Sequence, residues 1–296
     1  MKWEYLREEE FTGAIKKSGG LCVMAIGCLE KHGQHLPVGT DAIKGDKIVE
    51  WASDRSDVVM FPTTMWLGDV CSYHAIDHPE KTNSRGFVGM KPETLLTVLE
   101  ELCDEIARNG FTKILLCSSH GGNGGLLEYF TRAQFYKKKN YVTMYTRAYN
   151  FAEIAPDKML EAAKADPEYF SMLTEEDYKT LEKWAVTGTG GGHGDFRETA
   201  LVFGTHPDLV APDRFEAENG KCPKRWQYPP EIDVKCTLLG WYANSPNAFG
   251  GYAPIGCTKT IGEAAVKMSV DRLSKIFDYV KNENKCLEIL DEINKM

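Results

Sequence analysis

Leu21-Cys22-Val23-Met24-Ala25-Ile26-Gly27-Cys28-Leu29-Glu30-Lys31-His32-Gly33-Gln34-His35-Leu36-Pro37-Val38-Gly39-Thr40-Asp41 opens as an unbroken apolar run and ends in a cluster of carboxylates and imidazoles. Six apolar residues bounded by Gly27 read as a strand buried on both faces, which is the signature of a parallel sheet. Glu30 and His32 are two apart, so an extended backbone sends both side chains to one side. Asp41 follows nine residues after His32, at the start of a helical pattern. Carboxylate, imidazole and carboxylate converging at a strand end are the donors that a divalent metal takes.

Working outward, the pattern repeats. Val58-Val59-Met60-Phe61, Ile114-Leu115-Leu116-Cys117 and Tyr141-Val142-Thr143-Met144-Tyr145 read as further strands. Between them, Leu95, Leu99, Leu102 and Ile106 recur at helical spacing over 92–108, and 126–136 reads as another helix. Strand and helix alternating in this way predict βαβ units with right-handed crossovers, hence an α/β fold with a mostly parallel sheet. Residues 151–186 read as helices laid over that core, and 261–281 as an amphipathic helix. From about 210 to 260 the pattern gives way to a loop-rich stretch whose clearest strand-like run is Cys236-Thr237-Leu238-Leu239. Neither a linker nor an internal repeat divides residues 1–296, so one elaborated domain is expected.

The chain of 296 residues carries a net charge of −8 and 43% hydrophobic residues. An acidic balance argues against nucleic acid as a partner, and no apolar run approaches the roughly 20 residues of a membrane span. The first ten residues hold no apolar signal region. Nine cysteines without a Cys-x-x-Cys pair fit a reducing cytoplasm, with Cys22, Cys28, Cys103 and Cys117 placed as small core residues in apolar runs.

Two more segments carry chemistry. Cys117-Ser118-Ser119-His120-Gly121-Gly122-Asn123-Gly124-Gly125 follows the third strand, and ligands of open parallel sheets gather beyond the carboxyl ends of strands. Its glycines match neither the phosphate-loop nor the dinucleotide fingerprint, although their peptide N–H groups suit an oxyanion. Thr187-Gly188-Thr189-Gly190-Gly191-Gly192-His193-Gly194-Asp195-Phe196-Arg197-Glu198-Thr199-Ala200 is a glycine-rich loop running into a buried helix, and reads equally as a catalytic loop or a surface turn before a capped helix. Glu30, His32, Asp41, His120 and Glu198 then all lie at ends of core elements. Five such donors exceed the three of a mononuclear catalytic zinc and suit two divalent ions about 3.5–4 Å apart sharing one carboxylate.

These segments resemble the creatininase (creatinine amidohydrolase) family, whose Glu-x-His-Gly-x-His-Leu-Pro with Thr-Asp, His-Gly-Gly-Asn and His-x4-Glu-Thr motifs occur here in that order. The resemblance implies a three-layer α/β/α sandwich and two divalent ions per chain, for which zinc, manganese or iron(II) would serve. It names Glu30, His32, Asp41, His120 and Glu198 as the ligands, with Asp41 bridging, and His193 as the catalytic histidine. It also implies a hexameric homo-oligomer. The expected chemistry is hydroxide held by the metals attacking a carbonyl of a small, polar, cyclic metabolite, with His193 protonating the leaving group. Opening of a cyclic amide is one outcome, and C–C opening of an oxidised inositol is another. A non-catalytic subunit stapled by metal is the alternative outside enzymology.

The chain also departs from that family. Gly122 stands where creatininase has a metal-binding glutamate, and a glycine run replaces paired aromatics ahead of His193, with Trp184 nine residues before it. Residues 66–91 replace a family segment that touches substrate. Substrate contacts are therefore expected from Ser72, His74 and Trp184, with Gly121, Gly122 and Asn123 offering the oxyanion their backbone. His35 is expected behind the ligands, orienting one of them.

Overall fold

The computed structural model describes residues 1–63, 66–70, 86–217, 226 and 250–296. Its sheet has four strands: β1 (Leu21–Ile26), β2 (Val59–Met60), β3 (Lys113–Ser118) and β4 (Val142–Arg147). They lie in the order β2-β1-β3-β4, all parallel. The six residues of β1 are fully buried because both faces are covered. Leu21, Val23 and Ala25 enter one apolar cluster and Cys22, Met24 and Ile26 the other, as the strand's period of two requires.

The first cluster is closed by α2 (Thr40–Arg55), α7 (Phe196–Thr205) and α8 (Lys259–Asn282), with α5 (Pro156–Ala165) and α6 (Glu175–Thr187) packed outside them. The second is closed by α1 (Phe11–Lys17), α3 (Pro92–Arg108) and α4 (Asn123–Ala133). A last helix, α9 (Lys285–Lys295), ends the chain. Helices on both faces of a parallel sheet make the expected three-layer α/β/α sandwich. Lys113, on β3, sends its ammonium to the carbonyls of Val280, Lys281 and Glu283, so a cation satisfies the open C-terminal end of α8.

Two boundaries differ from expectation. The helix after β3 begins at Asn123 rather than Leu126, so Gly124 and Gly125 are helical in spite of their low propensity. The strand-like run at 236–239 lies outside the described residues. Strand order also fixes where a ligand belongs. From β1 the chain winds to β2 on one side, then crosses to β3 on the other, so the switch point is the crevice beyond the ends of β1 and β3.

Candidate metal centre

Beyond β1, Leu29 bridges to Val88, and the alternate residues Cys28, Glu30 and His32 bring their donor atoms to the switch point. Beyond β3, His120 enters from the other side. Asp41 comes from the first turn of α2 and Glu198 from the first turn of α7. The α7 start is fixed by Asp195, whose carboxylate accepts from the N–H groups of Arg197 and Glu198. Gly194 adopts φ +62°, open to glycine, and turns its N–H onto Glu198 Oε2 at 2.6 Å. His193 is held by hydrogen bonds between its backbone and that of Gly250.

Three groups of donor atoms converge: Glu30, Asp41 and His120 with Cys28; His32, Asp41 and Glu198; and Glu30, His32 and His193, of which the first two share Asp41. His120 Nδ1 lies 3.0 Å from Asp41 Oδ2 and 3.2 Å from Glu30 Oε1. His32 Nε2 lies 3.4 Å from both Asp41 Oδ2 and Glu198 Oε2, and 3.8 Å from Glu30 Oε1. Bonds of 2.0–2.1 Å in a tetrahedron separate their ligand atoms by about 3.3 Å, so these spacings suit metal donors. Asp41 Oδ2 belongs to both of the groups that share Asp41.

The histidines make the case sharper. His120 Nε2 faces the Asp69 carbonyl at 2.8 Å and His32 Nδ1 the Glu30 carbonyl at 3.1 Å, which assigns the N–H of each ring to those atoms. Each remaining nitrogen then points a lone pair at carboxylate oxygens. His32 Nε2 is buried without a hydrogen-bond partner. Repulsion of this kind needs a cation between, either a proton or a metal. The residues present therefore fit a pair of divalent ions.

Without metal, protons take that place. Burial works against charge on His32, but the Asp41 and Glu198 carboxylates outweigh it and raise its pKa to about 9. His120 is likewise raised well above its ordinary value against the cost of burial, chiefly by Glu30. Burial and the neighbouring His32 depress His193. Its ring stacks on His32 with centroids 4.4 Å apart, its Nε2 lies 2.6 Å from the Lys31 carbonyl, and its Nδ1 lies 3.5 Å from Glu30 Oε1.

Several expectations change here. Trp184 is 5% exposed, packs against Phe196 and donates its indole N–H to the Ile255 carbonyl, which is core packing rather than a substrate contact. Asn123 is buried and its amide is committed, accepting from Asp69 N–H and donating to the Ile26 carbonyl. Its side chain holds the Asp69 loop over His120, and its backbone N–H, expected at an oxyanion, donates instead to the His120 carbonyl at 3.3 Å. Gly121 is exposed at the start of α4. Ser72 and His74 lie outside the described residues. His35 is buried behind the ligands, 3.0 Å from the hydroxyl of Thr199, the neighbour of Glu198. Burial and then His32 push its pKa down to about 4, so it stays neutral.

Two residues were missed. Cys28 is not only a core thiol: its Sγ lies 3.1 Å from Asp41 Oδ2. Lys44, 0% exposed, bonds Asp41 Oδ1 and, at 2.7 Å, Glu198 Oε1. Its signal was available, since it stands three residues after Asp41 on the buried stripe that continues through Ile48 and Ala52.

Gly122 explains the absent glutamate. A Cβ there would meet His120 Nε2 at 2.5 Å and the Asp69 carbonyl at 2.9 Å, so any side chain displaces the histidine. Gly122→Ala is expected to cost about 1–3 kcal/mol in stability and to lower metal content in elemental analysis. Unchanged metal content would mean that His120 does not depend on this space.

The family model for creatininase, described as creatinine amidohydrolase, matches residues 4–277. The chain belongs to the creatininase family. It is a hydrolase of that family, and the following relatives are distant in sequence. Creatinine amidohydrolase of Pseudomonas putida is 20% identical over 211 residues, covering 70% of this chain and 72% of that protein. A manganese form of creatininase shares the fold at a TM-score of 0.65 and 15% identity, covering 95% of this chain and 99% of that one. A creatininase mutant complexed with creatine does so at 0.63 and 17%, with the same coverage.

Proposed function

We propose that this creatininase-family chain is a binuclear metal-dependent hydrolase that cleaves a bond at a carbonyl of a small, polar, cyclic metabolite. The observation that carries this reading is the sharing of Asp41 Oδ2 between two donor triads, with the buried, unpartnered Nε2 of His32 aimed into one of them. Glu30, Asp41 and His120 would hold one ion, and His32, Asp41 and Glu198 the other. When bound, such a pair lowers the pKa of water toward neutrality and polarises a carbonyl.

The chain's own residues supply the rest. Lys44 occupies one oxygen of Asp41 and one of Glu198, so each carboxylate presents only its second oxygen to the centre. With Nε2–H spent on the Lys31 carbonyl, His193 has Nδ1 as its proton-carrying nitrogen. Its depressed pKa keeps it neutral at pH 7, ready to take a proton at Nδ1 as water is activated and return it to the leaving group. Of the first N–H groups of α4, that of Asn123 is taken by the His120 carbonyl at 3.3 Å, so those of Gly124 and Gly125 would be the ones to serve an oxyanion.

A cyclic amide is the first substrate class, and ring opening of a keto-inositol the second. The replacement of family aromatics by Gly190, Gly191 and Gly192 favours a hydroxylated ring over flat creatinine. Assembly as a homo-oligomer in the cytoplasm belongs to the same reading, with exposed Tyr129, Phe135 and Tyr136 offering apolar surface for it. A kinetic screen of metal-loaded protein against cyclic amides, formamides and keto-inositols tests the reading. Turnover abolished by a chelator is expected on one class, and inactivity on all three would oppose it.

Metal uptake is also pH-dependent. Because His32 and His120 carry protons in the metal-free protein, loading should release at least two protons per chain at pH 7. Apparent affinity then rises with pH for as long as His32, with its pKa at about 9, or the likewise raised His120 still carries a proton. Calorimetry in buffers of different ionisation enthalpy reads the released protons, and an affinity flat between pH 6 and 8 would contradict the assignment.

A further inference from the structure

One group at the centre has no role in the mechanism above. Cys28 sits two residues before Glu30 on the same extended segment, so its side chain leaves on the same side as those of Glu30 and His32. It is fully buried. Its Sγ, Glu30 Oε1, Asp41 Oδ2 and His120 Nδ1 form a four-donor group whose atoms all lie within 4.8 Å of one another. Tetrahedral zinc with bonds of about 2.3 Å to sulfur and 2.0 Å to oxygen or nitrogen needs edges of about 3.5 and 3.3 Å, and the Cys28–Asp41, His120–Asp41 and His120–Glu30 separations of 3.1, 3.0 and 3.2 Å lie near them.

Asp41 Oδ2 is also overcommitted. Cys28 Sγ, His120 Nδ1 and His32 Nε2 all converge on it at 3.1, 3.0 and 3.4 Å, while Oδ1 is held by Lys44. One carboxylate oxygen has two lone pairs, which serve two cations better than two hydrogen bonds with an unpartnered imidazole nitrogen pressed against them.

We infer that Cys28 is a fourth protein donor at the Glu30–Asp41–His120 triad, making this half of the centre a closed, thiolate-bearing site that selects zinc or cobalt over manganese, while the His32–Asp41–Glu198 half keeps three donors. The inference rests on the metal-centre reading and deepens it. On loading, the Sγ–H proton leaves to solvent and a sulfur–metal bond forms, with no change of oxidation state. Soft sulfur prefers zinc and cobalt to manganese, whereas an all-oxygen-and-nitrogen triad discriminates less. The ammonium of Lys44 offsets the added negative charge.

The test is a cobalt(II) titration of the stripped full-length protein, read by absorption and by bound cobalt, with Cys28→Ser and Cys28→Ala alongside. A near-ultraviolet sulfur-to-cobalt charge-transfer band should grow in the wild type and vanish in Cys28→Ser. Zinc affinity at that site should fall about 10- to 100-fold in both variants, while the second site still loads. Cobalt bound without the band, or a band that survives Cys28→Ser, overturns the thiolate and leaves the metal centre standing. No cobalt bound at all overturns the metal centre itself. Should the variants not fold, the wild-type spectrum decides: a band at stoichiometric cobalt supports the inference and its absence ends it.

Discussion

Asp41→Asn is expected to empty both halves of the centre together and to lower kcat/KM by more than the 10- to 100-fold typical of a residue that merely supports a ligand. Asp41 Oδ2 is the atom common to both triads, so an amide in its place weakens each at once. No other single ligand should do this. Glu198→Gln, which touches the His32 triad alone, should leave one ion bound. The same change affects the protein without metal. Asp41 is held well below its usual range, against the cost of burial, above all by Lys44. Removing its charge leaves that buried ammonium with Glu198 alone, at a cost of about 1–3 kcal/mol. Urea unfolding of the stripped variant measures this, and elemental analysis measures the ions. An Asp41→Asn protein that keeps one full equivalent of metal would show that the carboxylate is not shared.

His193→Gln should separate catalysis from metal binding. The imidazole stacks on His32, lies 3.5 Å from Glu30 and turns its Nε2 to the Lys31 carbonyl; it forms a donor group with Glu30 and His32 but belongs to neither of the two triads that share Asp41. Metal content and unfolding temperature should stay near wild type while kcat falls by about 10²- to 10⁴-fold, the worth of a positioned acid–base group. The activity remaining should lose the limb of its pH profile that reports His193. A metal-stapled subunit without catalysis predicts instead that wild type and variant turn over no substrate at all. Loss of one ion in this variant would make His193 a ligand rather than a proton carrier.

The frame of the molecule was legible because its signals are one-dimensional. Buried parallel strands such as Leu21–Ile26 are continuous apolar runs, and α3 carries an uninterrupted apolar stripe. The residues assigned to the metal centre were legible for a related reason, since each lies within a few residues of a strand or helix end that the pattern marks. What escaped depends on contacts between segments distant in sequence. The spacing of Lys44 from Asp41 on the buried stripe marked it as a partner of that carboxylate, but only the approach of α7 makes it a bridge to Glu198. Cys28 reads as the tail of an apolar run until α2 brings Asp41 against its sulfur. Trp184 looked available for a ring, yet Phe196 at the start of α7 and the Ile255 carbonyl take it up from segments that no spacing connects to it. The glycines after His120 suggested a loop, and tertiary packing of Leu127 and Phe130 carried the helix back over them.

Elemental analysis of stripped and then reconstituted wild-type protein bears most directly on the central claim, because it asks only whether the two triads are filled. The account predicts about two divalent ions per chain after reconstitution. Less than one ion per chain, with none regained when zinc, manganese or iron(II) is supplied, would contradict it.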